Sequence, residues 1–329
     1  MESELNKKLV AKVLNQIPKN RKVVVYLVNT LKISRESAYR RIRGDIPFTV
    51  DELVTLAINL EFSIDSLCEQ EKQNHAFYDF TRIENKSNDF FLVMLKKYNV
   101  LLEKMNRAKK IESLIAFNSF PPPFYTEFPH LFKFSYYKWL YQESEIPLNN
   151  PYSEVVLPSE VALYQRNTQE NIIRGSNMTL ILDMNIFLNL IKEIHYFYQR
   201  KLLTDDELLL LREDTLHFIE QYEKMAQTGT FGTMKVQLYL SSLCVNSNTI
   251  CYNYDENVEP LFWTFTINPV IIQNKGFASM QVKWLNSLRR QSALITQSNE
   301  IMQAEFFFQQ WEYVDKYLTL DNSVELYHC

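Results

Sequence analysis

The chain has 329 residues, 46% hydrophobic and 22% charged, which is ordinary globular usage. That excludes a wholly disordered chain and leaves room for two domains or three. Glycine is scarce, at 5 residues, and G-x-G-x-x-G, G-x-x-x-x-G-K-[ST] and G-x-S-x-G are all absent. Dinucleotide-binding, P-loop and nucleophile-elbow folds are thereby set aside, since each needs glycine where the backbone meets a phosphate or turns sharply.

The formal charge of −4 is unevenly spread. Residues 1–70 carry 11 basic and 9 acidic side chains, and Lys19–Arg43 holds eight basic residues against one acid, Glu36. A basic segment on an acidic chain predicts that one end meets a polyanion. The opening Met1-Glu-Ser-Glu-Leu lacks a signal-peptide apolar stretch, and no apolar run approaches the ~18 residues that span a bilayer. The longest, around Leu180–Leu190, is broken by Asp183, Asn185 and Asn189. A cytoplasmic protein without membrane contact is expected, with Cys68, Cys244, Cys251 and Cys329 as reduced thiols. A two-residue hairpin at Ser247-Asn248 would set Cys244 against Cys251.

In chain order, Leu5, Leu9, Val13 and Ile17 predict a helix that Pro18 ends. Arg21–Leu31 reads as a second helix. Ser34 caps a third that runs to Arg43, with Gly44 as its stop. Thr49-Val-Asp-Glu52 is a capping box opening a fourth helix, in which Leu53, Leu56, Ala57 and Leu60 are apolar. Ser63–Leu67 starts a fifth. This order resembles the lambda-repressor-like (Cro-type) helix-turn-helix domain of bacterial transcriptional regulators. The resemblance rests on Leu27–Ser34, Arg35–Gly44, and the Leu53, Ala57, Leu60, Phe62 to Asp65 and Leu67 positions, and it covers residues 1–70. Two positions depart from the pattern: Val28 stands where a small residue is usual, and Lys32 where the turn usually has glycine. Ala38 on the facing helix would offset Val28, and a left-handed lysine costs on the order of 1 kcal/mol.

Residues 71–88 read as a polar connector. Asp89–Lys110 reads as a long helix with Phe91, Met94, Tyr98, Leu101 and Met105 at 3-4-3-4 spacing, either a dimer seam or a helix packed on its own domain. Ile111–Phe120 reads as a strand before Pro121-Pro-Pro123. Phe117–Tyr141 then holds eleven aromatics in 25 residues. Thr204-Asp-Asp-Glu207 is a second capping box, opening a helix that closes near Gly229. Lys235–Val245, Thr249–Tyr254 and Phe262–Ile272 read as strands, and Gln303–Leu318 as a final helix. The expected class is therefore multi-domain. An all-α helix-turn-helix domain (1–70) precedes a connector and long helix (71–110), and an α+β regulatory or dimerisation domain with an antiparallel sheet (111–329) follows.

The resemblance implies double-stranded DNA as partner, with the third helix in the major groove. Arg35, Glu36, Ser37 and Arg40 are the candidate base contacts: arginine bridges guanine O6 and N7, and glutamate accepts from cytosine N4. Arg21, Lys22, Ser34, Arg41 and Arg43 are the candidate phosphate contacts. One such domain reads few base pairs, so a homodimer is expected. From the aromatic block, Phe124, Tyr125, Phe132, Tyr136 and Trp139 are candidates to line a pocket for a small-molecule or peptide effector, with plain core as the competing reading. His75, His130, His195, His217 and His328 show no metal spacing, and Asp205-Asp206-Glu207 suits a helix N-terminus. Neither an enzyme nor a cofactor is expected. The competing function is a protein-interaction scaffold with a degenerate helix-turn-helix.

Overall fold

A computed structural model describes residues 4–17, 22–60, 62, 64–67, 87–171, 177–255, 257–272 and 274–320. The chain divides into two compact units, Met1–Phe77 and Tyr78–Cys329.

The N-terminal unit contains α1 (Glu4–Gln16), α2 (Val23–Leu31), α3 (Arg35–Ile42) and α4 (Val50–Asn59), then a 3-10 turn at Ile64–Leu67. Leu9, Val13 and Ile17 of the first helix stretch bury against Leu27, Ala38, Leu56 and Ala57. The apolar periodicity thus places one side of each helix inward. Ser34 caps α3 by accepting the Ser37 N–H at 3.1 Å. Thr49 and Glu52 close the reciprocal box on α4, which satisfies two amides that a helix start leaves open. Residues 18–21, 61, 63 and 68–86, including Pro18, Cys68 and the expected connector up to residue 86, lie outside the described residues, as does Cys329, while Ser87 and Asn88 of that connector begin a helix.

The second unit starts with α5 (Ser87–Asn106), β1 (Ile111–Phe117), α6 (Pro129–Gln142) and α7 (Ser159–Glu170). Next come β2 (Asn177–Asp183), α8 (Ile186–Gln199), α9 (Asp205–Thr228), β3 (Thr230–Phe231), β4 (Met234–Ser241), β5 (Thr249–Tyr254) and β6 (Asn257–Thr264). It ends with β7 (Asn268–Ile271), α10 (Lys275–Arg290), β8 (Ser292–Leu294) and α11 (Glu300–Tyr317). The strands form one sheet in the order β3-β4-β2-β1-β5-β6-β7, with β8 also on β4.

The structure departs from the expected class. The sheet is mixed, not antiparallel: β1–β2 and β2–β4 are parallel, while β1–β5, β5–β6 and β6–β7 are antiparallel. Parallel neighbours need long crossovers, and α6–α7 and α8–α9 supply them. For the first 70 residues the structure establishes helices and a 3-10 turn over the described positions only, so an all-α domain over 1–70 is not established. The region read as one strand over 262–272 is the end of β6, a turn, and β7.

The main core lies on one face of the sheet. There Ile115, Phe117, Leu180, Leu182, Leu238 and Ile250 meet side chains of α5, α6, α8, α9 and α11. The five seam residues of α5, Phe91, Met94, Tyr98, Leu101 and Met105, are all buried in it. This removes the dimer-seam reading of that helix and makes α5 part of the second unit rather than a connector. The opposite face carries a smaller cluster under α10, with Ala116, Ile181, Cys251, Leu285 and Leu288. Because β4 and β5 are not neighbours, no hairpin sets Cys244 against Cys251. Burial pushes the Cys251 thiol up to about 12, which leaves it protonated and unreactive.

Candidate nucleic-acid interface

The turn between α2 and α3 is three residues long, Lys32-Ile-Ser34. Lys32 takes the left-handed conformation, φ 56° and ψ 37°, that ends α2. Here a lysine occupies a geometry in which glycine carries no Cβ penalty. Ala38 is fully buried and Val28 partly buried in the same cluster, so the small residue lies on α3 and the larger one on α2.

At 100° per residue, Arg35, Tyr39, Glu36 and Arg40 of α3 and its C-cap residue Arg43 fall within an arc of about 140°. All five are exposed. Ser37, Ala38, Arg41 and Ile42 fill the other side, where Ala38 and Arg41 are buried. Arg35, Arg40, Lys22 and Lys32 have no ion-pair or hydrogen-bond partner for their side chains among the described residues. Glu36 also makes no ion pair there, and its charge suits the first turn of α3.

Two of the expected DNA contacts are placed differently. Arg41 is 9% exposed, and its guanidinium forms a fork with Glu52, Nε to Oε2 at 2.8 Å and Nη2 to Oε1 at 2.8 Å. Its remaining nitrogen donates to the Ser37 hydroxyl. Arg41 therefore fastens α3 to α4 instead of facing a phosphate, because the nearby carboxylate satisfies it inside the unit. Ser37 is drawn into the same network and lies on the side of α3 away from the exposed arc. Arg43 remains exposed, paired with Asp45 at 2.8 Å. An open pair of that kind is worth about 0–1 kcal/mol and exchanges readily for another anion. Arg21 lies outside the described residues.

Tyr39 was missed by the charge-based reading. It is 53% exposed and sits between Arg35 and Arg43 on the arc. The signal that finds it is helical position: residues 35, 39 and 43 succeed one another at four-residue spacing, so all three share one side.

The expected effector pocket needs correction. Tyr125, Phe132, Tyr136 and Trp139 are buried in the main core, and edge-on contacts such as Phe91–Tyr136 at 5.1 Å fill the space between rings. Phe124 alone of the five lines a described cavity, one of about 100 Å³ shared with Tyr98, Tyr222 and Tyr252. The Tyr98 and Tyr252 hydroxyls meet at 3.2 Å, and burial raises Tyr98 to about 12.

His195 is buried, with Nδ1 2.7 Å from the Tyr317 carbonyl. Asp205, Asp206 and Glu207 occupy the first turn of α9. Among the described residues no cluster of His, Cys, Asp or Glu could hold a metal ion, and no helix is long and apolar enough to cross a membrane. No protein-family model, curated protein or solved structure matches the chain.

Proposed function

We propose that the protein is a sequence-specific DNA-binding transcriptional regulator whose α3 enters the major groove. The observation that carries the reading is the exposed arc of α3, which presents Arg35, Glu36, Tyr39 and Arg40 with no ion pair among the described residues. Arg35 and Arg40 supply planar forks for guanine, Glu36 an acceptor for cytosine N4, and Tyr39 an apolar ring for a thymine methyl. Lys22, Lys32 and the Ser34 hydroxyl, which precede that arc in sequence, and Arg43 at its C-terminal end serve the phosphates. Arg41 contributes indirectly by holding α3 on α4. Two copies reading adjacent half-sites would supply the specificity that one helix lacks, and the second unit would carry the pairing or an effector response.

Selection of bound genomic fragments with the full chain, followed by mobility shifts at graded salt, tests the reading. A recurrent motif is expected, with log affinity falling linearly in log salt. Lys22→Ala should weaken all sequences alike and reduce the salt slope by about one. Retention of fragments without any shared motif would instead favour the scaffold reading.

A further inference from the structure

The sheet face opposite the main core is only partly covered. α10 packs over one end of it, with Leu285 and Leu288 against Ala116 and Ile181 and with Gln281 donating to the Thr249 hydroxyl at 3.0 Å. Below that cover the register places Lys235, Asn177, Glu112 and Asn253 in one row across β4, β2, β1 and β5. At about 4.8 Å per strand the row is about 14 Å long. Helices normally cover both faces of parallel strands, so a polar row on the central strands departs from the pattern.

The row floors a basin of about 820 Å³, within the usual range for small-molecule sites. Concavity separates it from an ordinary solvated sheet face. One wall is the Thr228-Gly229 corner, held by the Gln297 side chain on the Thr228 carbonyl at 3.0 Å and by the Gln297 amide on the Ala226 carbonyl at 2.9 Å. α10 also lines the basin, with Val282, Asn286 and Arg289 at helical spacing. Leu114, Val258 and Val282 give it an apolar patch.

Its charges are unequally committed. Glu112 is engaged by Lys110 at 2.7 Å. Lys235 and Arg289 have no ion-pair partner among the described residues. The basin therefore offers two uncommitted cations, one a point charge and one a planar fork, beside amide side chains and an apolar patch.

We propose that this basin binds a small organic anion, a carboxylate or phosphate monoester carried on a partly apolar body. Lys235 and Arg289 take the oxyanion, while Leu114, Val258 and Val282 receive the apolar part. The site is independent of the DNA-reading helix and stands or falls by direct binding.

Calorimetric titration of the full chain with phenyl phosphate, phenylacetate and neutral 2-phenylethanol tests it. At least one anion should bind saturably in the millimolar range or tighter, with the alcohol at least tenfold weaker. The two anions distinguish phosphate from carboxylate as the preferred group. Lys235→Gln and Arg289→Gln should each weaken the anion at least tenfold with unchanged melting temperature. Lys283→Gln, on an exposed α10 position outside the basin, should bind as the wild type does. Absence of saturable binding by both anions at about 10 mM, equal binding of the alcohol, or wild-type affinity in both lining variants would overturn the proposal.

Discussion

In α3 and its C-cap, Arg35, Arg40 and Arg43 stand on the water-facing side, whereas Phe132, Phe134, Tyr136, Tyr137 and Trp139 of α6 are buried. Each group belongs to the most biased stretch of its unit, one biased in charge and the other in ring content. The two biases end in opposite places because a run of cations cannot be desolvated without partners, while a run of rings gains from leaving water. Local excess of charge therefore marks a surface, and local excess of aromatics marks a core before it marks a pocket. Arg41 is the informative exception on the charged side. It is buried because Glu52 provides a two-pronged partner.

The aromatic half of this contrast is broken most sharply at Phe218 of α9. Its ring lies 4.7 Å from Phe120, 5.0 Å from Phe128 and 5.2 Å from both Tyr125 and Tyr222. Phe218→Ala should cost about 3–5 kcal/mol by chemical denaturation of the second unit. A cost below about 1 kcal/mol would mean that these rings line space instead of filling it.

Arg41→Ala should destabilise the N-terminal unit by about 3 kcal/mol, since it leaves the mostly buried Glu52 carboxylate without its cation, held only by the Thr49 amide. The Arg41→Met, Glu52→Gln pair, which removes both charges and keeps an acceptor for the Thr49 amide, should recover much of that loss. Equal losses for the single and double variants would contradict a fastening role.

Lys32→Gly removes a left-handed non-glycine residue and should stabilise the same unit by up to about 1 kcal/mol. Thermal melts suffice to check it, and a lower melting temperature would contradict the turn geometry.

The smallest effect concerns Glu112, whose carboxyl the Lys110 ammonium holds below the ordinary carboxylate range, with help from Asn177. Its stabilisation is fully present above the unfolded carboxyl value and is lost as pH falls through the depressed folded one. Because the pair is exposed, Glu112→Gln should change stability by less than about 1 kcal/mol near neutral pH. A carboxyl NMR titration reads the depression directly, and an unshifted midpoint would contradict it.

Features set by neighbouring residues were legible in the sequence. The Ser34 cap, the Thr49 and Thr204 boxes and the Gly229 stop all appear at their expected positions, because each depends on a few adjacent side chains and amides. Features set by distant partners were not. The parallel pairing of β1 with β2 depends on α6 and α7, whose aromatic and polar surroundings obscured a helical period. α10 was missed for a similar reason: its buried positions Ala278, Gln281, Leu285 and Leu288 include a small and a polar residue, which weaken an apolar stripe. At the candidate interface, the exposed arginines were readable from α3 alone. The withdrawal of Arg41 and Ser37 was not, since it needs α4 placed beside them.

The most direct measurement of the DNA-reading claim is a base-by-base substitution profile of the selected site, read with the wild-type chain and with Arg40→Ala. A loss of about 1–3 kcal/mol is expected, concentrated at one base position, where the variant no longer discriminates among bases. A loss spread evenly over every position, or one no different from that of Lys22→Ala, would contradict direct readout by the exposed arc of α3.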